Sequence, residues 1–442
     1  MTAETLDPRS AIRDLRAGRA GGRRIVFATF GSLGDLHPYI AVARELKQRG
    51  HRPLIASFPE YRENIESAGI EFAPMRPGMD RFGDRAVVME KLIDPWRGPE
   101  FMVREIFMPH VRESYADLAR ACEGADGLVT HPLAFAGPLL AEKSGLPRLS
   151  SALSPMTLFS ACDPPVFPAA PWMRRARLLG TGAYRALFRI PRAIVRRWEA
   201  PLRDFRAELG LPPTDALAQI EGQFSPRLHL ALFSGALAAR QPDWPPATVV
   251  CGFPRYDGAP LDARARAALE AFLAEGDAPI VFGLGSSAVM VAGAFWRGAI
   301  AAAGKLGRRA ILLIGNAPER LGPLPATIRA FDYLPYSAVF PRAAAVVHSG
   351  GIGTLAQALA AGRPQLIVPV AFDQPDNARR AVALGVARSL PFRKATAGTL
   401  ARELAALLGD RACSEHARAL GEAVSREDGA RNAADAIERA FS

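Results

Sequence analysis

The stretch that decides the fold runs from residue 343 to residue 377, AAAVVHSGGIGTLAQALAAGRPQLIVPVAFDQPDN. An apolar strand is predicted over Ala343–Val347, followed by a glycine-rich turn and a helix that Gly362 ends. A second apolar strand is predicted over Gln365–Val370. Apolar strands that alternate with helices in this way predict a parallel sheet with helices on both faces.

The glycine-rich turn has the chemistry of a diphosphate site. Gly350, Gly351 and Gly353 allow a close approach between the backbone and a ligand. Thr354 opens the helix, whose first N–H groups are free to bind an anion. His348 adds a polar side chain at the end of the strand. These groups together suit the two phosphates of a nucleotide.

Asp373 and Gln374 follow the second strand and therefore reach the same edge of the sheet. A carboxylate and an amide suit the hydroxyls of a sugar. With the diphosphate turn beside them, they indicate a nucleotide-sugar site.

The alternation of strands and helices occurs twice, and 442 residues exceed what one hydrophobic core normally organises. We predict a flexible tail (1–22), a first domain (23–238), a linker (239–257), a second domain (258–425) and a C-terminal helix (426–442). In the first domain, residues 75–115 and 155–225 break the alternation and are rich in Pro, Phe, Met and Trp.

Composition excludes several classes of protein. Hydrophobic residues make up 49% and charged residues 22%, as in ordinary globular proteins. No apolar run reaches the ~18 residues of a membrane span, and no signal peptide is visible. The four cysteines have neither metal-ligand nor disulfide spacing, which predicts a cytoplasmic location and no metal site.

The net charge of +11 is mostly due to arginine, and we expect no nucleic-acid partner. The basic residues cluster in 171–197, which holds eight arginines, no acid and many apolar residues. Pro191 should interrupt any helix there. The stretch is either a solvated helix pair whose apolar side packs on the domain, or a peripheral contact with the inner face of the membrane.

Three segments of the chain, HSGGIGT, AGRPQLIVP and FDQPDNA, resemble the donor-binding signature of the UDP-glycosyltransferase superfamily (family 1). The resemblance extends from about Arg24 to the C-terminus and is weak in the middle. Rhamnolipid-type rhamnosyltransferases and bacterial sterol and natural-product glucosyltransferases are the most similar members. The resemblance implies an α/β GT-B fold, in which two Rossmann-like domains with parallel sheets face each other across a cleft. The first domain then binds the acceptor, the second binds the nucleotide sugar, and the last helix crosses back to the first domain.

The resemblance also implies roles for individual residues. His348 contacts the α-phosphate, Ser286 faces the phosphates, and the nucleotide base stacks on Tyr333. A glutamate that grips the ribose in many relatives is replaced here by Ala356, so a dTDP-sugar is as admissible as a UDP-sugar. The full set of implied donor-binding residues is Ser286, Tyr333, Leu334, His348, Gly350, Gly351, Gly353, Thr354, Asp373 and Gln374.

The loop Gly31–His37, which precedes a helix predicted to start at Pro38, resembles the catalytic loop of the family. Many members have a histidine base where this chain has Asp35. Asp35 can serve as the general base if burial raises its pKa; the alternative is a helix-capping aspartate. We hypothesise that His131 pairs with it, in an exchange of the family's two residue types. His37 is a second candidate base, and the alternative is a capping or surface residue.

The function expected from the sequence is inverting, metal-independent transfer of a hexose from a UDP- or dTDP-sugar to a hydroxyl of a hydrophobic lipid or natural product. No cofactor besides this co-substrate is expected. A nucleotide-sugar 2-epimerase and a non-catalytic nucleotide-binding protein of the same fold are the alternatives. A NAD-dependent dehydrogenase is disfavoured because residues 31–34, GSLG, lack the G-x-G-x-x-G fingerprint.

Overall fold

The structure, a computed structural model, describes residues 22–289, 292–315 and 321–442. The predicted tail therefore lies outside the described residues, except for Gly22. The described chain forms two sheets, and every strand pair in both of them is parallel.

The first sheet has seven strands in the order β3-β2-β1-β4-β5-β6-β7. Strand β1, in the interior of this sheet, is buried on both faces, with Ile25 and Val26 fully inaccessible, as expected for a parallel sheet covered by helices. The strands are β1 (Arg24–Ala28), β2 (Arg52–Ser57), β3 (Glu71–Pro74), β4 (Gly127–Thr130), β5 (Arg148–Ala152), β6 (His229–Ala231) and β7 (Thr248–Val250).

The second sheet has six strands in the order β10-β9-β8-β11-β12-β13. Strands β9 and β10 lie on one side of β8, and β11 to β13 lie on its other side, so the strand order reverses between β8 and β11; it reverses in the same way between β1 and β4 in the first sheet. This doubly wound order confirms the two predicted Rossmann-like domains. The strands are β8 (Ile280–Gly283), β9 (Ala310–Leu313), β10 (Ile328–Phe331), β11 (Ala345–His348), β12 (Gln365–Ile367) and β13 (Ala387–Ser389).

Helices connect the strands, with a π-helical turn at Met102–Phe107 and a 3-10 helix at Pro171–Leu179. Shorter 3-10 turns lie at Pro59–Tyr61, Met79–Phe82, Met108–His110, Pro155–Leu158, Phe340–Arg342 and Phe392–Lys394. The α-helices are α1 (Leu33–Gln48), α2 (Arg62–Ser67), α3 (Arg85–Leu92), α4 (Gly98–Phe101), α5 (Val111–Ala121), α6 (Ala136–Ser144), α7 (Thr181–Trp198), α8 (Ala200–Glu208), α9 (Ala263–Ala274), α10 (Gly285–Ala288), α11 (Ala294–Lys305), α12 (Tyr336–Val339), α13 (Ile352–Ala360), α14 (Gln374–Ala383), α15 (Ala397–Gly409), α16 (Arg411–Ser425) and α17 (Gly429–Phe441).

Helix α1 begins at Leu33, five residues before the predicted start at Pro38. The cause is a capping box formed by Ser32 and Asp35. The Ser32 side chain accepts a hydrogen bond from the Gly34 N–H (3.2 Å), and Asp35 accepts one from the Ser32 N–H (2.7 Å). Pro38 consequently lies inside the helix, and the predicted catalytic loop is largely its first turn.

Two further predictions differ from the structure. The predicted linker, residues 239–257, contains β7, which pairs with β6, so the chain leaves the first sheet only after Val250. Pro191 lies inside α7 and does not end it. This helix lies at the surface, where water can hydrate the carbonyl group that the proline leaves unpaired.

The two domains are in direct contact. One hydrophobic cluster contains Tyr39 and Ile40 of α1 together with Ile352 and Leu355 of α13. Helices α1 and α13 therefore pack against each other. Helix α17 lies against the first domain, where Glu438 accepts hydrogen bonds from Arg49 and His51.

Candidate active site

Two helix N-termini meet between the domains. Helix α1 starts after β1, and α13 starts after β11, so both lie at the carboxyl ends of central strands. A Cβ atom placed on Gly353 would lie 3.6 Å from the Cα atom of Gly34. In open α/β sheets this edge, at the point where the strand order reverses, is where ligands bind.

Only glycine fits at the first position of the turn before α13. Gly350 has a φ of +89°, and an added Cβ atom would lie 2.7 Å from a methyl group of Ile367. At Gly351, by contrast, an added Cβ atom meets nothing within 4 Å. Among the described residues, no hydrogen-bond acceptor is found for the N–H groups of Ile352, Gly353 and Thr354. These N–H groups and the positive end of the helix dipole form an anion site.

His348 does not reach this anion site in the structure. Its side chain is fully buried, and its Nδ1 atom accepts the Gly350 N–H (3.1 Å). Its Nε2 atom lies 2.9 Å from the Gln365 amide oxygen, to which it donates. Burial lowers the pKa of His348 to about 4, against the opposing effect of Gln365, so the ring is neutral. Both ring nitrogens of His348 are thus engaged within the protein, and neither is free to donate to a phosphate as predicted. His348 instead holds the turn through the Gly350 N–H.

The other predicted phosphate ligands lie around the same turn. Thr354 is buried beside the Tyr336 hydroxyl, and an added Cβ atom on Gly285 would be 3.5 Å from the Thr354 hydroxyl oxygen. Ser286 follows Gly285 and is exposed. The structure thus brings the loop after β8 and the start of α13 together, as predicted.

The two residues that were predicted to bind the nucleoside differ in solvent exposure. Tyr333 is 47% exposed, whereas Leu334 is buried, so only the tyrosine ring is open to a stacking partner. The segment after β7 lies close to this ring: an added Cβ atom on Gly258 would be 2.9 Å from the Tyr333 hydroxyl oxygen. Nearby, the Gln357 amide donates to Asp257 (3.0 Å).

Asp373 and Gln374 lie at the start of α14. The Gln374 amide oxygen accepts the N–H groups of Val370 (2.8 Å) and Ala371 (3.1 Å), so only its NH2 group remains for a ligand. Asp373 accepts a hydrogen bond from Asn377 (2.7 Å). Burial and the negative charge of Asp35 raise the pKa of Asp373 to about 7.

Asp35 and His131 come together across the cleft from α13. The His131 Nε2 atom lies 3.7 Å from Asp35 Oδ1. The His131 Nδ1 atom accepts the Leu133 N–H (3.1 Å), which leaves the ring proton on Nε2, facing Asp35. The second oxygen of Asp35 is held by the N–H and hydroxyl groups of Ser32 (2.7 and 2.9 Å). Tyr39 packs edge-on against the His131 ring.

The pKa expected for Asp35 is wrong in direction. Burial does raise the pKa of this carboxyl group, but His131 and the hydrogen bonds from Ser32 outweigh burial and hold it below its ordinary value. Asp35 is therefore both the predicted cap of α1 and an ionised carboxylate with one oxygen free.

His37, the second candidate base, packs edge-on against Tyr256, with ring centroids 5.2 Å apart. Burial lowers the pKa of His37 to about 4, despite the nearby negative charge of Asp257. This histidine faces the segment after β7 and not His131.

The structure reveals polar residues between the domains that the sequence analysis missed. The Asn377 amide donates to the Gly350 carbonyl (2.9 Å), and its oxygen accepts the Ser154 hydroxyl of the first domain (3.3 Å). Asn377 stands in the quoted segment FDQPDNA, but on sequence alone it is an ordinary helix residue. Its burial between two domains is a long-range property that no local pattern signals.

A second contact between the domains lies beside it. Asp376 is fully buried and accepts the Val166 N–H of the first domain (3.0 Å) and the Arg380 guanidinium (2.7 Å). Arg380 also forms an ion pair with Asp163 of the first domain. The spacing of Asp376 and Arg380 by four residues was the one available signal, since such pairs share a helix face.

Two other properties of the described residues bear on the chemistry. No group of three or more His, Cys, Asp or Glu side chains among them is placed to hold a metal ion. None of the helices in that part of the chain has the length and apolar character needed to cross a bilayer.

Comparison with known proteins matches both halves of the chain. Residues 25–161 match the glycosyltransferase family 28 N-terminal domain, and residues 299–437 match the erythromycin biosynthesis protein CIII-like C-terminal domain. The O-mycaminosyltylonolide 6-deoxyallosyltransferase of Streptomyces fradiae is 34% identical over 424 residues, which cover 94% of this chain and 97% of that protein. The sterol 3-beta-glucosyltransferase of Emericella nidulans is 28% identical over 98% of this chain, which spans 31% of that longer protein.

Solved structures agree on the fold. The calicheamicin glycosyltransferase superposes with a TM-score of 0.69 at 20% identity, over 95% of this chain and 98% of that one. The spinosyn rhamnosyltransferase complexed with thymidine diphosphate gives a TM-score of 0.66 at 20% identity, over 94% of this chain and all of that one.

Proposed function

Because this chain belongs to the GT-B glycosyltransferase family that contains natural-product and sterol glycosyltransferases, we propose that it moves a hexose from a UDP- or dTDP-sugar to a hydroxyl group of a hydrophobic acceptor. In this proposal the reaction inverts the anomeric carbon and needs no metal. The observation that carries it is the placement of Asp35 and His131 opposite the N-terminus of α13 and close to Asp373.

In the proposed step, the acceptor oxygen attacks the anomeric carbon while the bond from that carbon to the diphosphate breaks. Asp35 takes the hydroxyl proton on Oδ1, the oxygen that Ser32 leaves free. A carboxylate with a low pKa is a weak base towards a resting alcohol. The hydroxyl becomes far more acidic as its new bond forms, so the proton moves late. The Nε2–H of His131 orients the carboxylate.

The departing nucleoside diphosphate carries the negative charge that develops in this step. The N–H groups at the start of α13, which have no acceptor among the described residues, and the helix dipole stabilise it there without any reorganisation. Asp373 and the NH2 group of Gln374 hold the sugar hydroxyls at the neighbouring start of α14.

The proposed donor range includes both UDP- and dTDP-sugars. Ala356 is buried, and the amide of the adjacent Gln357 is engaged with Asp257. Neither residue of α13 offers a carboxylate to the ribose hydroxyls, so the loss of the 2-hydroxyl of the ribose has little effect on binding. The fold neighbour that was solved with thymidine diphosphate is consistent with this range.

The proposed acceptor is apolar because aromatic side chains gather on the first-domain side of the cleft. The partly exposed rings of Phe159, Phe167 and Phe188 lie 5.7–6.2 Å apart, centroid to centroid, and the buried ring of Tyr184 stacks behind Phe188. Phe159 and Phe167 belong to the same loop as Asp163 and Val166, which contact α14.

Transfer assays with the purified, EDTA-treated protein test this proposal. UDP- and dTDP-linked glucose and rhamnose are offered with hydroxylated macrolides, sterols and hydroxylated fatty acids. Proton NMR of the product identifies the anomer. We expect transfer with inversion in the presence of EDTA. Retention, or a strict metal requirement, would contradict the proposed mechanism. An isomerised donor without transfer would identify a 2-epimerase.

A further inference from the structure

The 3-10 helix Pro171–Leu179 and α7 pack against each other on the first domain, and we call them the basic helix pair. The pair contains five of the nine large hydrophobic side chains that are exposed among the described residues. Leu178 and Leu179 at the turn between the two helices are 86% and 83% exposed. The other three are Trp172, Ile190 and Ile194.

The arginines of the pair are only partly neutralised. Three of the eight form ion pairs: Arg185 with Asp243, Arg192 with Glu221 and Arg196 with Asp215. The remaining five form no ion pair within the described part of the chain, and all are exposed: Arg174, Arg175, Arg177, Arg189 and Arg197. The surface is therefore both apolar and strongly positive.

The pair is anchored to the domain through a different face. Tyr184 is 1% exposed, Met173 is buried, and Phe188 packs on Phe159 and Phe167. The apolar side that packs on the domain is thus separate from the exposed leucines and isoleucines. Leu178 and Leu179 are adjacent in sequence, and Ile190 and Ile194 lie one turn apart on α7. An ordinary solvated helix pair needs no such second set of exposed apolar groups, which marks an interaction surface.

We propose that the basic helix pair binds the surface of an anionic lipid bilayer. Leu178 and Leu179 insert at the boundary between head groups and acyl chains, and the unpaired arginines contact lipid phosphates. Charge complementarity favours this partner, since the pair carries no acid and five of its eight arginines form no ion pair within the described part of the chain. A nucleic acid would neutralise the arginines but would leave the leucines in water. The proposal is independent of the glycosyl-transfer chemistry.

Vesicle sedimentation with the full-length protein tests the proposal. Vesicles of phosphatidylcholine with 30% phosphatidylglycerol are compared with pure phosphatidylcholine. We expect binding to the anionic vesicles only, weakened by salt. Leu178→Ser with Leu179→Ser, and separately Arg174→Gln with Arg189→Gln, should each lower the partition coefficient about tenfold, because apolar burial and basic residues both contribute to such binding.

A matched control separates a specific surface from the general positive charge of the protein. Arg264→Gln with Arg297→Gln removes the same charge from two exposed arginines of the second domain and should leave binding unchanged. Equal loss in this control would overturn the proposal, as would the absence of wild-type binding. As a second readout, brominated lipid should quench Trp172, and this quenching should disappear in Trp172→Phe. Circular dichroism verifies that each variant is folded.

Discussion

Asp35 and Asp373 are two carboxyl groups near each other whose pKa values move in opposite directions. Ser32 and His131 stabilise the charged form of Asp35, so its pKa is lowered. Asp373 is desolvated, feels the negative charge of Asp35, and its pKa is raised to about 7. Near neutral pH one group is a carboxylate and the other is partly protonated. This difference suits a base at the acceptor and a hydrogen-bonding group at the sugar.

Asp35→Asn should reduce kcat by about 100- to 10,000-fold, because the general base acts mainly in the transition state. Nucleotide affinity should change less than about threefold, since the asparagine oxygen can still accept the Ser32 N–H and preserve the cap of α1. Steady-state kinetics and calorimetry measure the two effects. If nucleotide affinity fell as much as kcat, Asp35 would be structural.

Asp373→Asn should raise the melting temperature of the ligand-free protein at pH 8 but not at pH 4. The folded-state pKa of Asp373, about 7, lies above its ordinary value. At a pH between these two pKa values the folded state binds more protons than the unfolded state. The free energy of unfolding therefore falls as pH rises through this range. Asparagine removes this penalty, and each kcal/mol corresponds to about 2–4 °C for a domain of roughly 150–250 residues that unfolds on its own. A melting temperature that rose equally at both pH values would show that the charge is not the cause.

A single element, helix α14, contacts both sides of the cleft. Its first residues, Asp373 and Gln374, face the proposed sugar, while Asp376 and Arg380 hold the first-domain loop that carries Asp163. Movement of this loop would therefore displace the start of the helix. We expect the acceptor side and the sugar side to be coupled through α14.

Asp163→Asn tests this coupling. It removes one anion from a nearly buried arginine, so the loop should order less well and kcat/KM for the acceptor should fall about tenfold. The Kd for the nucleotide should stay within about threefold, because the α13 turn is untouched. Asp215→Asn, which removes a highly exposed ion pair with Arg196, is the control and should change neither value. A lower melting temperature with unchanged kinetics would contradict this coupling and would show that the ion pair between Asp163 and Arg380 only stabilises the fold.

For the whole molecule, the features predicted from sequence are those that local patterns determine. Two runs of alternating elements predicted two doubly wound domains, and glycines at fixed spacing predicted the turn before α13. The pairing of Asp35 with His131 was a hypothesis from the family resemblance. The structure gives its physical basis, because both residues follow neighbouring parallel strands, β1 and β4, whose carboxyl ends meet at one edge.

The features that were not predicted depend on packing between distant segments. Burial of His348 against Gln365 follows from how β11 meets β12, and Asp163 reaches Arg380 across 217 residues of sequence. The direction of the pKa shift at Asp35 depends on hydrogen bonds whose geometry only the folded chain specifies. Local rules predict elements, but the balance of burial and hydrogen bonding at a site requires coordinates.

The proposed function requires a nucleoside diphosphate to bind at the N-terminus of α13, and a calorimetric titration of TDP and UDP measures this binding without an acceptor. Gly351→Val is the informative variant, because an added Cβ atom at Gly351 meets nothing within 4 Å and should not disturb the fold. Gly398→Val, at another open position, is its control. We predict that the wild type and Gly398→Val bind alike and that Gly351→Val binds at least about tenfold more weakly. Absence of wild-type binding to both nucleotides, or unchanged binding by Gly351→Val, would contradict the claim.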